Sequence, residues 1–151
     1  MNHFDFYNPT HIVFGEGRIA ELSTLVPATA RVLVLFGGES ARKTGTLAEV
    51  RTALGAREVF EFGGIEPNPH FETLMKAVDL IKQENINYIL AVGGGSVIDG
   101  SKFIAAAALY PNEPWEIIQT YGAHVSQAVP LGSVLTLAAT GSEMNNGAVI
   151  T

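Results

Sequence analysis

The chain has 151 residues, the size of about one domain, with 47% hydrophobic and 16% charged residues, a composition far from that of disordered chains. It carries 9 basic against 15 acidic residues, a net charge of −6, and no basic stripe, which argues against nucleic acid as a partner. Cysteine is absent, which excludes disulfide scaffolds, thiolate nucleophiles and Cys-ligated metal sites. The first ten residues lack the pattern of a signal peptide, and the longest apolar stretch, Phe103–Leu109, is too short to span a bilayer, so a soluble cytoplasmic protein is expected.

In chain order, His11–Phe14 is a short strand candidate closed by Gly15-Glu16-Gly17, and Arg18–Leu25 reads as a short helix stopped by Pro27. Arg31–Phe36 is a continuous apolar run of β-formers, as suits a strand covered on both faces. Thr44–Leu54 carries an apolar stripe at Leu47, Val50, Ala53 and Leu54 and ends at Gly55. Glu58–Phe62 predicts the next strand, followed by a stiff Pro67-Asn68-Pro69 loop. Phe71–Glu84 predicts the clearest helix, with Phe71, Leu74, Met75, Val78 and Ile81 on one side. Tyr88–Val92 predicts a second buried strand, Val97–Leu109 an Ala-rich helix, Trp115–Gln119 a further short helix, and Val129–Leu137 a long apolar strand. Gly147–Thr151 is β-prone and begins an element with no room to finish, as in the first part of something longer. Strands alternating with helices predict an α/β fold, a parallel sheet with helices on both faces and right-handed crossovers.

The richest segment joins the Tyr88–Val92 strand to a helix through Gly93-Gly94-Gly95-Ser96. Helix N-termini leave N–H groups unpaired and carry partial positive charge, and glycines let a ligand approach the backbone. A phosphate or pyrophosphate at Gly94, Gly95 and Ser96 would be solvated by main-chain amides, with the Ser96 hydroxyl as a further donor. The bland alternative is a helix-entry turn with Ser96 as its N-cap. Neither named fingerprint fits: position 98 is Ile98, where G-x-G-x-x-G needs glycine, and Gly100-Ser101-Lys102 reverses the last pair of a P-loop. A second turn, Gly37-Gly38-Glu39-Ser40, also follows a buried strand; Ser40, Arg42 and Lys43 favour a ribose 2′-phosphate there, whereas Glu39 favours a free 2′-hydroxyl. In a third, at 134–143, Thr136, Thr140 and Ser142 could donate to a phosphate or ribose.

Gly-Gly-Gly-Ser-x-x-Asp-x-x-Lys at 93–102, Ala-Thr-Gly-Ser-Glu at 139–143, Pro-Asn-Pro at 67–69 and the start Asn8–Gly15 together resemble the iron-containing (group III) alcohol dehydrogenases. Phe-Gly-Gly-x-Ser at 36–40 and the run 61–69 are similar to the butanol dehydrogenase and NADPH-dependent aldehyde reductase branch. The resemblance covers essentially the whole chain. It implies a Rossmann-like nucleotide domain over residues 1–151 with an N-terminal β-hairpin, and an all-helical second domain absent from this chain. It further implies NADP or NAD as coenzyme, a small aldehyde or alcohol substrate, a homodimer with Phe4–Phe14 at the contact, and catalytic iron or zinc held by one Asp and three His of the second domain. The implied coenzyme contacts are Gly94, Gly95 and Ser96 for the pyrophosphate, and Gly37, Gly38, Glu39 and Ser40 for the adenosine ribose. Asn68 is implied near the adenosine, and Thr136, Thr140 and Asn145 along the rest of the groove. Asp99 and Lys102 are motif positions grouped with that site. Glu39 stands where the NADP-preferring branch often has glycine. The scattered His3, His11, His70 and His124 have no ligand spacing, so no metal ligand is expected in this chain. Two other readings remain open on the residues: a non-redox phosphate- or nucleotide-binding module of dehydroquinate-synthase-like fold, and a piece that is soluble only by self-association through an unpaired strand edge.

Overall fold

The computed structural model describes residues 2–151. Four strands, β1 (Arg31–Phe36), β2 (Glu58–Phe62), β3 (Tyr88–Gly93) and β4 (Leu131–Leu135), form one sheet in the order β2-β1-β3-β4. Every pairing is parallel, with Leu33 opposite Phe60 and Ile89, and Val92 opposite Val134. Because β1 and β3 are central and covered on both faces, they read as unbroken apolar runs.

Side-chain alternation along β1 divides the core in two. Leu33 and Leu35 join Ile89 and Ala91 on one face, beneath α4 (Phe71–Glu84) and α5 (Gly95–Ala107), through Leu74, Val78, Ile81, Ile98 and Ile104. Val32, Val34 and Phe36 join Leu90 and Val92 on the other, beneath α1 (Leu22–Leu25) and α3 (Thr46–Leu54), through Leu22, Leu47, Val50 and Leu54. The expected double coverage is therefore present. Gly100 lets α4 approach α5, since a Cβ there would meet Leu74 Cδ2 at 2.9 Å. Helix α4 ends at Asn85, whose φ of 50° is the left-handed closure that Asn tolerates. A further short helix, α6 (Trp115–Gln119), follows α5 as expected.

Four differences from the sequence reading stand out. The expected N-terminal β-hairpin is not formed: no residue from 2 to 14 is in a strand, and Phe4, Phe6, Tyr7 and Phe14 are largely exposed. A strand exists only by pairing, and β2 and β4 at the sheet edges take no partner from this segment. The helix expected from Thr44 starts at Thr46, after Gly45 at φ 82°, and the turn before it, expected to be irregular, contains a short helix of its own, α2 (Ser40–Lys43). Helix α5 starts two residues earlier than its apolar periodicity indicates, which puts Gly95 and Ser96 inside its first turn. Gly147–Thr151 forms no strand; Thr151 N–H donates to the Pro69 carbonyl at 2.8 Å and Phe71 N–H to the Thr151 carbonyl at 2.9 Å.

Candidate functional site

In an order β2-β1-β3-β4, the direction of winding changes between β1 and β3. Open parallel sheets bind ligands in the crevice outside the carboxyl ends of the strands at this switch point. The two glycine turns, 37–40 after β1 and 93–96 after β3, leave the sheet there. Loops after β2 and β4 flank them. Gly64 N–H donates to the Gly37 carbonyl at 2.8 Å, Asn68 N–H to Ser96 Oγ at 3.3 Å, and Thr136 N–H to the Gly93 carbonyl at 3.0 Å.

The α5 end of the crevice suits an anion. Gly94 is the N-cap, in an extended conformation and without a side-chain cap, so Ser96 is not the cap. Ile98 N–H is bonded to the Gly94 carbonyl at 3.2 Å, while helix geometry offers the amides of Gly95, Ser96 and Val97 no acceptor of their own. The Ser96 oxygen accepts from Asn68, which leaves its proton free to donate. A Cβ on Gly94 or Gly38 would meet nothing within 4 Å, so at both positions the backbone faces open space. By contrast, a Cβ on Gly95 would press into Thr140, 2.8 Å from its Cγ2 and 3.1 Å from its Cβ. Thr140 is thus a wall standing against the first turn of α5, held by a 2.8 Å bond between its Oγ1 and Ser142 Oγ. Bare backbone beside a helix start, with hydroxyls around it, fits the diphosphate of a dinucleotide.

The β1 end is more exposed. Gly38, Glu39 and Ser40 are open to solvent, and the Glu39 side chain caps nothing. Arg42, a candidate for a ribose phosphate on sequence grounds, is turned aside: its guanidinium donates to Glu61 Oε2 at 3.1 Å and lies 5.3 Å over the Phe36 ring.

Asp99, Lys102 and Asn145 are brought together, but mainly with one another and with the chain after β4. Lys102 Nζ donates to Asn145 Oδ1 at 2.9 Å and to the Gly147 carbonyl at 2.8 Å, and lies 4.0 Å from Asp99 Oδ1. Val149 N–H donates to Asp99 Oδ2 at 3.1 Å, and Asn145 Nδ2 to the Gly141 carbonyl at 2.9 Å. Burial pushes the Lys102 pKa down, and the carboxylates of Asp99 and Glu143 push it back.

Two features beside the site make contacts that no motif in the sequence announces, Glu66 having been open to a solvated or helix-capping role. Glu66 accepts from Thr73 Oγ1 at 2.6 Å, a bond that lowers the pKa of its carboxyl and ties the loop after β2 to the first turn of α4. Ser101 is fully buried, its hydroxyl bonded back to the Val97 carbonyl at 2.7 Å, as a small hydroxyl inside an apolar helix must be. The Glu66-to-Thr73 spacing carries no common motif, and Ser101 was read only as part of a failed P-loop. Two other hollows, one between residues 28–31 and 56–58 and one between residues 15–23 and 48–53, do not border the glycine turns. Among the described residues no group of three or more His, Cys, Asp or Glu could hold a metal ion, so the iron or zinc implied by the resemblance finds no ligand set in them.

Residues 9–151 match the family model for iron-containing alcohol dehydrogenase. The chain belongs to that family. The chain is 57% identical over 152 residues to the NADPH-dependent aldehyde reductase YqhD of Escherichia coli, covering 99% of this chain and 39% of that protein. It is 46% identical over 154 residues to the probable NADH-dependent butanol dehydrogenase 1 of Bacillus subtilis, covering 100% of this chain and 40% of that one. Among solved structures, YqhD superposes with a TM-score of 0.96 at 56% identity, over 99% of this chain and 39% of that one. The NADH-dependent butanol dehydrogenase A of Thermotoga maritima superposes with a TM-score of 0.93 at 40% identity, over 100% and 39%. This chain of the iron-containing alcohol dehydrogenase family thus spans about two fifths of the length of these relatives.

Proposed function

We propose that residues 1–151 are the coenzyme-binding domain of a metal-dependent alcohol dehydrogenase or aldehyde reductase, and that the crevice between β1 and β3 holds NADP(H) in preference to NAD(H). The observation that carries this is the bare backbone of Gly94 beside the unpaired first-turn amides of α5, at the switch point of a family fold. The amides of Gly95, Ser96 and Val97 would bind the diphosphate, with the Ser96 hydroxyl donating. Thr136 and Thr140 would line the same groove, with Thr140 closing one side. Gly37, Gly38, Glu39 and Ser40 would receive the adenosine ribose, with Asn68 beside the adenosine. When bound, the reduced nicotinamide supplies a hydride to the carbonyl carbon of a small aldehyde. This chain's own work is to bind the coenzyme and fix its orientation.

For NADP(H), the 2′-phosphate would enter the open space at Gly38, close to the Glu39 carboxylate. The coenzyme named for YqhD supports that choice, and the carboxylate opposes it. Thermal-shift titration with NADPH, NADH, ATP and a sugar phosphate tests the reading, because stabilisation grows with ligand concentration over Kd. The two dinucleotides should give the largest shifts, with NADPH ahead. Glu39→Gly should tighten NADPH roughly fivefold by removing about 1 kcal/mol of repulsion, and should weaken NADH by removing the acceptor for its ribose 2′-hydroxyl. Equal shifts from all four ligands would reject a dinucleotide site.

The assembled enzyme is proposed to be a cytoplasmic homodimer, joined through the exposed apolar side chains of Phe4–Phe14, with Phe14 90% exposed. Sedimentation of the chain should show a dimer that Phe14→Ser weakens; a monomer at every concentration would remove the idea. No helix of the described residues is long and apolar enough to cross a membrane.

A further inference from the structure

Segment 141–149 has no regular structure beyond a single turn at Ser142–Met144, and it follows directly on Thr140, the residue that stands against Gly95 of the turn after β3. Left to itself such a stretch would be mobile, because few of its backbone groups are paired internally. Two side chains of α5 hold it. Lys102 spends its ammonium on Asn145 Oδ1 and the Gly147 carbonyl, and Asp99, one turn earlier on the same helix face, receives Val149 N–H. Both side chains are more than four-fifths buried, at 16% and 17% exposure, so neither is a loose surface charge. Asn145 passes the restraint on, since its Nδ2 holds the Gly141 carbonyl, next to Thr140.

We infer that Lys102 and Asp99 are positioning residues for the coenzyme crevice: they pin segment 141–149 across α5 and so keep Thr140 against Gly95. This rests on the coenzyme reading proposed above, and it differs from a direct role at the coenzyme. A lysine six residues past a glycine turn invites the reading of a phosphate ligand. Its ammonium here is already engaged by two chain oxygens and a carboxylate.

The test combines NADPH titration by calorimetry with amide hydrogen exchange on the unliganded chain. Lys102→Met removes the clamp from the helix side. Val149→Pro removes the N–H that Asp99 accepts, at a residue 68% exposed and outside the core. Both variants should weaken NADPH about tenfold. The ratio to the wild type should be the same at low and high salt, because no charge facing the ligand is lost. Exchange should accelerate in residues 141–149 and stay unchanged in β1 and α4. Lys102→Arg, which can still reach two oxygens, should recover most of the affinity.

Three outcomes overturn the inference: unchanged exchange in 141–149; wild-type affinity in Lys102→Met; or a Lys102→Met loss that fades with salt while Val149→Pro binds normally, as for a direct phosphate contact. A wild-type chain that binds neither dinucleotide would fail the coenzyme reading itself, and is read separately from the exchange result.

Discussion

Replacing Gly95 by valine should eliminate the thermal stabilisation expected from NADPH under the proposed coenzyme reading. A Cβ at that position would press on Thr140 Oγ1 and come within 2.8 Å of its Cγ2 and 3.1 Å of its Cβ, so both branches of the side chain are in conflict and turning it about χ1 only exchanges them. Relief requires Thr140 and its backbone to retreat, which breaks its bond to Ser142 Oγ. The valine methyl groups add a second effect, covering the first-turn amides that an anion must approach. Hydrogen bonds to a charged group contribute about 1.5–3 kcal/mol each, so losing two corresponds to a fall in affinity of more than about a hundredfold. The fold should survive, because the displaced Thr140 lies in an exposed turn outside the core and valine is a better helix former than glycine. Calorimetry that finds Gly95→Val binding NADPH within threefold of the wild type would show that the diphosphate does not sit at this turn.

Arg57→Met should produce the largest loss of stability available from a single polar side chain. The Arg57 guanidinium donates to four carbonyls: Ser23 at 2.9 Å, Val26 at 2.7 Å, Pro27 at 2.9 Å and Leu54 at 2.8 Å. These oxygens belong to the ends of α1 and α3, where helix geometry leaves carbonyls unpaired and the helix dipole favours a cation. One side chain therefore closes two helices and ties both to the start of β2. Methionine keeps the aliphatic stem but leaves the Ser23 and Val26 carbonyls without their donor, while those of Pro27 and Leu54 keep backbone bonds from Ala30 and Arg57. The expected cost is about 3 kcal/mol, a fall in melting temperature of roughly 6–12 °C for a domain of this size. Arg57→Lys should recover only part of it, because an ammonium lacks the planar fork. A thermal melt within 2 °C of the wild type would show that water replaces the guanidinium at little cost.

What the sequence discloses here follows how far apart the cooperating residues lie. The strands were legible because β1 and β3 are buried on both faces, so their apolar character is local and continuous. Helix α4 was legible because Leu74, Val78 and Ile81 repeat with the helical period. The glycine turns could be placed at the strand ends, and the structure sets both at the switch point. Asp99, Lys102 and Asn145 were picked out as motif positions, yet their contacts span 43 to 50 residues, and no local pattern shows which atoms will meet. The same distance hid Arg57, whose partners lie up to 34 residues earlier. The N-terminal segment misled for a related reason, since β-propensity describes a residue's fitness for a strand and cannot supply the strand beside it.

The strand order has a bearing on how the chain is made. Growth from the ribosome delivers β1 first and lets β2 and then β3 settle on either side of it. Residues 136–145, the last wall of the crevice, emerge only after both glycine turns are in place. A nascent chain can thus acquire most of its core before the crevice proposed for the dinucleotide is complete. Retention on a nucleotide resin would accordingly mark the end of folding in this domain, not its beginning.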